Sequence, residues 1–321
     1  MESEHVFKKM LFLTDGSDRE LSAQELAILL AKRLDSEVTV FHVVTHELMR
    51  PRFKDFLMIG RGSTDYADSE AGAVEQMEDR DVVHAEGPTS AGAHYSERIE
   101  DELTSIYRQQ GEEIVADAAI AFKEGGVHAD QKVVEHKSVA EAVMKEADRE
   151  NYDLIVMGRN AQKEKEAHLG SVAYKVSRQA HIPVLVGGER QAISKVLVPL
   201  DGSKGSENAL MCAAALSKKL NAKLTLLHVQ ESHLFSVRPE VSKAIGGGIL
   251  ADAAGKLSGM SFEQKLEYGD AAKKISEIAE KENFDIIVMG AKGHGGASRS
   301  LLGSVSDHVL HYTRHSVLIV K

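Results

Sequence analysis

The sequence has few of the residues on which disulfide-stapled and membrane-spanning proteins depend. Its 321 residues include one cysteine, Cys212, which excludes a disulfide framework and metal sites built from cysteine pairs, and favours a reducing compartment. No apolar run approaches the ~20 residues that span a bilayer, and the first residues lack the apolar segment of a signal peptide. We therefore expect a cytoplasmic protein without membrane insertion.

Basic charge is also scarce. The chain has 39 Lys and Arg against 49 Asp and Glu, a formal net charge of −10. Nucleic-acid binding requires clustered cations that displace counterions from phosphates, so this balance argues against a nucleic-acid partner. At roughly 150 residues per domain, the length suits two domains, each large enough to bury a core without disulfides or a structural metal.

The chain contains a tandem repeat, because four segments of the first half recur in the same order in the second. The matched pairs are 11–17 with 196–203, 37–44 with 223–230, 150–161 with 282–293, and 181–188 with 315–321. The repeat aligns Asp15 with Asp201 and His42 with His228, at the same spacing in each copy. We predict one domain over 1–190 and a second over 191–321.

Each copy alternates short apolar runs with longer amphipathic ones. Runs such as KLTLLHV and FDIIVMG are typical of strands buried on both faces of a parallel sheet, and the stretches between them have helical periodicity. This alternation predicts two tandem doubly wound α/β domains, Rossmann-like, each with a five-stranded, mostly parallel sheet. Ligands bind beyond the carboxyl ends of such strands, which places Asp201, Val229 and Gly290 at one edge.

The first copy carries an acidic insertion at about 45–110. Within 61–102 there are twelve acidic residues and three basic ones, and a helix is predicted over 96–124. Two interpretations remain open: a solvated or oligomer-contacting element, or a surface for a specific partner.

The second copy has a glycine-rich segment after its fourth strand, with Gly290, Gly293 and then Gly303-Ser304. Glycines allow backbone N–H groups to approach an anion, and a helix beginning near Ser304 would direct its positive end at the same point. Turns, helix caps and close packing also select glycine, so the glycines alone leave the choice open. The spacing matches neither a Walker A sequence nor the G-x-G-x-x-G dinucleotide fingerprint.

Taken together, VLVPLDGS, LLHV, IIVMG and G-x2-G-x9-G-S resemble the universal stress protein family, in its ATP-binding branch, over essentially the whole chain. The resemblance implies an adenine nucleotide alpha hydrolase-like sheet that binds ATP, with Mg²⁺ bridging the phosphates. It places the adenosine beside Pro199, Asp201 and Val229, and the ribose and phosphates beside Gly290 and Gly293. The residues that would hold the triphosphate are Gly303, Ser304, Val305 and Ser306.

The first copy departs from this pattern. Gly158 and Gly170-Ser171 are kept, but Ala161 replaces the second glycine, the loop is one residue shorter, and Leu13 stands at the position of Pro199. The loop also contains two acidic residues, Glu164 and Glu166. We therefore expect a degenerate first site and one nucleotide per chain; the alternative is weak binding aided by Lys163 and Lys165.

Other features favour structural roles. The spacing of His308, His311 and His315 is compatible with a metal, but no further ligand pattern accompanies them, so we expect no metal site. Cys212 lies on an apolar helix face and is expected to be a buried hydrophobic residue. The three glycines at 246–248 predict a bend or a weakened helix.

The sequence thus favours an ATP-binding regulatory protein of the stress response. Its nucleotide would order the loop 291–302 and so change a surface for an unknown regulatory partner, with at most slow hydrolysis and no assigned catalytic residue. The alternatives are a true ATPase or nucleotidyl-transfer enzyme, and a nucleotide-free scaffold. By resemblance, the terminal strands of the two copies pair with each other, and the resulting pseudo-dimer is expected to self-associate.

Overall fold

The computed structural model describes residues 6–45, 90–159, 169–190, 192–230, 238–293 and 302–321, with the backbone alone for 90–101. Within these ranges the strands are β1 (Lys9–Leu13), β2 (Glu37–Val44), β3 (Ala129–Glu135), β4 (Leu154–Met157), β5 (Val184–Val186), β6 (Lys195–Pro199), β7 (Lys223–Gln230), β8 (Phe262–Tyr268), β9 (Ile286–Gly290) and β10 (Ser316–Val320). The α-helices are α1 (Leu21–Leu34), α2 (Ser90–Glu124), α3 (Val139–Arg149), α4 (Ser171–Gln179), α5 (Lys204–Leu220), α6 (Pro239–Gly255), α7 (Ala271–Lys281) and α8 (Ser304–Tyr312).

The ten strands form one sheet in the order β3-β2-β1-β4-β5-β10-β9-β6-β7-β8. Within each half the five strands are parallel and follow the same order, third, second, first, fourth, fifth. Helices α1, α2, α5 and α6 pack on one face, and α3, α4, α7 and α8 on the other. The predicted tandem of doubly wound five-stranded units is confirmed. The domain boundary at 190/191, which falls between β5 and β6, stays a prediction.

The two halves meet through their last strands. β5 and β10 pair antiparallel, with Leu185 opposite Leu318. Each strand covers the edge that the other would expose, so the expected pairing of the terminal strands occurs within the chain. Self-association between chains stays a prediction.

Two basic side chains connect the halves across this junction by donating hydrogen bonds to backbone carbonyls near helix C-termini. Arg159 donates from Nη1 to Leu310 O at 2.5 Å and from Nη2 to His315 O at 3.0 Å, and desolvation lowers its pKa to about 10. Lys321 Nζ donates to Ser177 O in α4 at 2.6 Å, and its pKa is lowered to about 8 by desolvation. A cation near the last carbonyls of a helix interacts favourably with the helix dipole, so these contacts stabilise the junction.

The insertion contains a long helix, as predicted. α2 begins at Ser90, six residues before the predicted start, and ends at Glu124. Its last part packs on the sheet, where the ring of Phe122 contacts that of Phe12 edge-on. The acidic residues before Ser90 lie outside the described part of the chain.

The glycines at 246–248 do not interrupt the chain's helix, because α6 continues through all three, and the alternative of a weakened helix stays a prediction. A Cβ on Gly246 would lie 2.5 Å from Leu266 Cδ1 and 3.0 Å from His228 Cδ2, so glycine lets the helix approach β7 and β8 closely. Gly111 likewise lets α2 approach β2 closely, since a Cβ added at this position would lie 2.9 Å from His42 Cδ2. Close tertiary packing here outweighs the low helix propensity of glycine.

Two smaller observations complete the fold. Cys212 is partly buried against the core, and desolvation raises the pKa of its thiol to about 12, which favours a structural role over a nucleophilic one. No helix in the described ranges is long and apolar enough to cross a membrane.

Candidate functional site

The predicted site residues of the second half lie at the carboxyl edge of the parallel strands. Pro199 ends β6, Asp201 follows two residues later, Val229 is the penultimate residue of β7, and Gly290 ends β9. From β6 the chain continues to β7 on one side and later returns to form β9 on the other side of β6. The strand order therefore reverses here, and this edge is a topological switch point. Because pairing with β6 ends at Pro199 opposite Leu227, Val229 extends beyond the end of β6.

A tight turn fixes the carboxylate of Asp201. Gly202 has a φ of +83°, a conformation that glycine adopts without strain. Ser203 donates to Asp201 Oδ1 from its backbone N, at 3.0 Å, and from its hydroxyl, at 2.6 Å. The Ser203 hydroxyl also accepts from Ser206 N at 3.2 Å and so caps the start of α5.

Three glycines allow the loop after β9 to pack against this turn. A Cβ on Gly293 would lie 2.3 Å from Asp201 Oδ2, and one on Gly205 would lie 2.2 Å from Lys292 O. A Cβ on Gly290 would in turn lie 2.5 Å from the carbonyl carbon of Gly205. The start of α5 therefore touches the start of the glycine-rich loop backbone to backbone.

Sequence reasoning missed Gly205, although a signal was present. The residue occupies the first turn of α5, where helix propensity disfavours glycine, and the aligned residue of the first copy is Arg19. The start of the helix also differs between the copies: α5 begins at Lys204, whereas a 3-10 turn over Asp18–Glu20 precedes α1. An unexpected glycine in one copy of a repeat indicates a close contact specific to that copy.

The N-terminus of α8 lies beside these glycines, as predicted. Gly303 caps the helix, its N–H donates to Ala291 O at 2.8 Å, and the first intrahelical bond runs from Asp307 N to Gly303 O at 2.8 Å. The N–H groups of Ser304, Val305 and Ser306 precede that bond and have no acceptor within the helix. These three donors and the positive end of the helix dipole are available to an anion.

The hydroxyl of Ser306 is engaged within the protein, although its position in the motif suggested a contact with the triphosphate. Its hydroxyl is buried and donates to Gly290 O at 2.8 Å, so it joins the first turn of α8 to the end of β9. Only its backbone N–H remains for a ligand. Ser304, in contrast, is exposed. The intervening loop residues, including His294 and Arg299, lie outside the described ranges.

The residues present fit a polyphosphate. A Cβ at Gly293 would collide with the Asp201 carboxylate, so the backbone of the loop comes close to the turn, and the N–H groups at the start of α8, which have no acceptor within the helix, lie beside it. Backbone donors of this kind bind phosphate oxygens without a side-chain cation. In the described ranges, no group of three or more His, Cys, Asp and Glu side chains is arranged to hold a metal ion.

The first half has a cavity of about 830 Å³ at the corresponding edge. It lies at the ends of β1, β2 and β4 between α2 and the N-terminus of α4, and its lining includes Asp15, Glu20, His42 and Gly158. Ala161 and the charged residues at 163–166 lie outside the described ranges, so the degenerate first site stays a prediction.

Glu20 is the most unusual group in this cavity, because its carboxyl is buried. It accepts a hydrogen bond from the Thr14 hydroxyl, one from Asp15 N at 3.0 Å and one from Gly16 N at 3.3 Å. Burial nevertheless outweighs these donors and raises the pKa of Glu20 from 4.5 to about 7. In the second copy the aligned residue is Ser206, which carries no charge.

Replacing Glu20 with glutamine is expected to remove a pH dependence of stability. Folded Glu20 holds its proton up to about pH 7, whereas the unfolded side chain loses it near 4.5, so the free energy of unfolding falls as pH rises between these values. The fall is on the order of 3 kcal/mol. Urea denaturation of the wild type and the Glu20→Gln variant from pH 4.5 to 8 measures the difference.

The matched control is Glu25→Gln, which changes an exposed carboxyl on the same helix, α1, and should leave the pH profile unchanged. Parallel profiles for the wild type and Glu20→Gln would show that Glu20 ionises normally in the folded protein.

The fold and the candidate site define a class: a tandem of doubly wound α/β domains, the second with a glycine-lined strand edge beside a helix N-terminus. The universal stress protein family matches residues 7–186 and again 192–321. The chain belongs to the universal stress protein family.

Similar proteins cover the whole chain or one half of it. Universal stress protein Slr1230 of Synechocystis sp. is 24% identical, over 97% of this chain and 99% of its own length. Universal stress protein YxiE of Bacillus subtilis is 33% identical over 40% of this chain and 99% of its own. The crystal structure of a universal stress protein from Archaeoglobus fulgidus aligns with a TM-score of 0.62 at 21% identity, over 100% of this chain and 99% of that one, which supports the fold.

Proposed function

We propose that the protein binds ATP in its second domain and acts as a nucleotide-dependent regulatory switch in the response to stress. The observation that carries the proposal is the close approach of Gly293 to Asp201 beside the unpaired N–H groups at the start of α8. This arrangement brings an acceptor of hydrogen bonds and a set of phosphate donors to one strand edge, as an adenine nucleotide requires.

In this proposal, each part of the nucleotide is bound by a different group of residues. Pro199, Asp201 and Val229 border the adenosine, and Gly290 and Gly293 border the ribose and the first phosphates. The triphosphate is held by the backbone of Gly303 and by the first turn of α8, whose residues are Ser304, Val305 and Ser306. The nucleotide phosphates and water would supply most of the ligands of a Mg²⁺ ion, which would neutralise part of the phosphate charge.

Slow hydrolysis suits this geometry better than rapid turnover. A general base must be within reach of an attacking water and able to accept its proton. Asp201 Oδ1 already accepts two hydrogen bonds from Ser203, which commits that oxygen to the turn. The nucleotide then serves as a ligand whose presence changes the loop 291–302 and the surface that a partner recognises.

Turnover and proteolysis together test the switch. We expect hydrolysis of ATP well below the ~1 s⁻¹ at the lower end of ordinary enzymes, and cleavage in 291–302 that differs between apo and ATP-bound protein. Turnover of many ATP molecules per second would favour an enzyme, and identical cleavage patterns would contradict a conformational switch. A cytoplasmic location, self-association and a protein partner belong to the same proposal.

A further inference from the structure

We propose that the cavity of the first domain binds a small organic cation, a protonated amine attached to an apolar body. The proposal is independent of the nucleotide site in the second domain. It rests on the shape of the cavity, the charges that face it and a buried hydroxyl, that of Ser17, which has no hydrogen-bond partner among the described residues.

The cavity has the size and the walls of a small-molecule site. Its volume of about 830 Å³ falls within the ~300–1,000 Å³ of ligand pockets. The wall formed by the sheet is apolar, with Leu13, Phe41, Val43 and Met157 at the ends of β1, β2 and β4. Helix α2 closes the opposite side, where Ile114 adds a further apolar surface. An apolar ligand body would be surrounded on several sides.

The charges that face the cavity are acidic. Asp15 and Glu20 supply two carboxyl groups, and neither lysine nor arginine occurs among the lining residues that the structure describes. The N-terminus of α4 also faces the cavity, but a helix end carries about half an elementary charge, which is less than the two carboxylates carry above pH 7, where the buried Glu20 has lost its proton. A polyphosphate would meet net repulsion here, whereas an ammonium group would be attracted.

The acidic residue is specific to this half of the molecule. Glu20 aligns with Ser206, whose hydroxyl donates to Ser203 O at 2.9 Å within the first turn of α5. The hydroxyl of Ser206 thus has a hydrogen-bond partner in its own turn, whereas the carboxyl of Glu20, a residue with 7% exposure, lines the cavity. The three hydrogen bonds that Glu20 accepts do not offset its burial, since its pKa is raised, so a cationic ligand would relieve the remaining cost of its negative charge.

Two further polar atoms of the cavity wall differ in their hydrogen bonding from their counterparts in the second copy, as far as the described residues show. Ser17 Oγ is buried without a hydrogen-bond partner among the described residues, whereas Ser203 Oγ donates to a carboxylate. His42 Nδ1 lies 2.8 Å from Thr14 O, which leaves Nε2 as an acceptor. In the second copy, Gln230 lies 3.3 Å from the equivalent His228 Nε2; in the first its place is taken by Val44.

Buried polar atoms are usually hydrogen-bonded, and the carboxylates and His42 Nε2 are acceptors. They match the donors of an ammonium group, while Phe41 and Val43 match an apolar body. The cavity is therefore complementary to an arylalkyl or alkyl amine rather than to an anion.

Three probes that differ in their head group test this assignment on the full chain. They are 2-phenylethylamine, 2-phenylethanol and 3-phenylpropionate, titrated calorimetrically at pH 8. We expect one 2-phenylethylamine per chain, at least tenfold weaker binding of the alcohol and no binding of the carboxylate. Equal affinity for the three probes, preference for the carboxylate, or no binding of the amine would overturn the proposal.

Variants locate the binding. Glu20→Gln and Asp15→Asn should each weaken 2-phenylethylamine binding at least tenfold, while Glu25→Gln on the exposed side of α1 should leave it unchanged. Unchanged amine binding in both cavity variants would show that the probe binds elsewhere. ATP titration of Glu20→Gln should match that of the wild type, so failure of this proposal and failure of the nucleotide proposal give different results.

Discussion

Replacing Gly293 with valine is expected to weaken ATP binding at least 100-fold while the protein remains folded. A Cβ at this position would lie 2.3 Å from Asp201 Oδ2, so either the loop or the carboxylate must move. The obstructing atom belongs to a side chain, so the change can be absorbed locally without unfolding, but moving the carboxylate breaks its two hydrogen bonds from Ser203 and displaces a residue of the proposed site. A 100-fold loss corresponds to about 2.7 kcal/mol of binding free energy.

Calorimetry with ATP and Mg²⁺ measures this loss, and thermal unfolding without nucleotide checks the fold. Gly248→Val is a suitable control, because a Cβ at Gly248 meets nothing within 4 Å and the residue lies on α6, which contributes no residue to the proposed nucleotide site. Wild-type affinity in Gly293→Val would contradict the placement of the nucleotide.

The substitution Gly205→Ala is expected to destabilise the protein, which reverses the usual effect of this change in a helix. Gly to Ala within a helix normally stabilises by roughly 0.5–1 kcal/mol. Here the Cβ would lie 2.2 Å from Lys292 O, a backbone atom, and Gly290 packs against Gly205 from the same side. Such overpacking costs about 1–3 kcal/mol, and the displaced loop should also lose ATP affinity.

Gly247→Ala on α6 is the matched control, because its Cβ also meets nothing within 4 Å and it should stabilise or leave the protein unchanged. Urea denaturation of the two variants and the wild type compares their free energies of unfolding. A Gly205→Ala protein as stable as Gly247→Ala would show that α5 and the loop can separate without cost.

Much of the fold could be predicted from the sequence, because the main elements recur in both copies of the repeat. The consecutive β-branched runs predicted strands buried on both faces, whereas the β5–β10 contact was predicted from the family resemblance. The start of α8 at Ser304 followed from the glycine before it. These predictions depend on local periodicity and capping, which a sequence displays directly.

Features that depend on contacts between distant segments could not be predicted in this way. The glycines of α6 indicated a break, yet Gly246 lies against Leu266 and His228, and the helix continues. The guanidinium of Arg159 was not singled out, because its acceptors are carbonyls more than 150 residues further along the chain. In a sequence, a glycine that permits close packing and one that breaks a helix look the same.

The same limit applies to the two sites. Gly293 and Gly303 were found because their spacing resembles a family motif, whereas Gly205 contributes through a backbone contact that no motif records. Glu20 was overlooked since its position in DGSDRE reads as an exposed acidic turn. Its burial arises from the way α1 packs against the end of β1, which only the folded chain shows.

The central claim is that one nucleotide site, in the second domain, is intact. Calorimetric titration of nucleotide-stripped, folded protein with ATP and Mg²⁺ tests it most directly, with Gly293→Val measured alongside. The account predicts one equivalent of ATP per chain for the wild type and no measurable binding for the variant. Two equivalents per chain, or one equivalent retained by Gly293→Val, would contradict it.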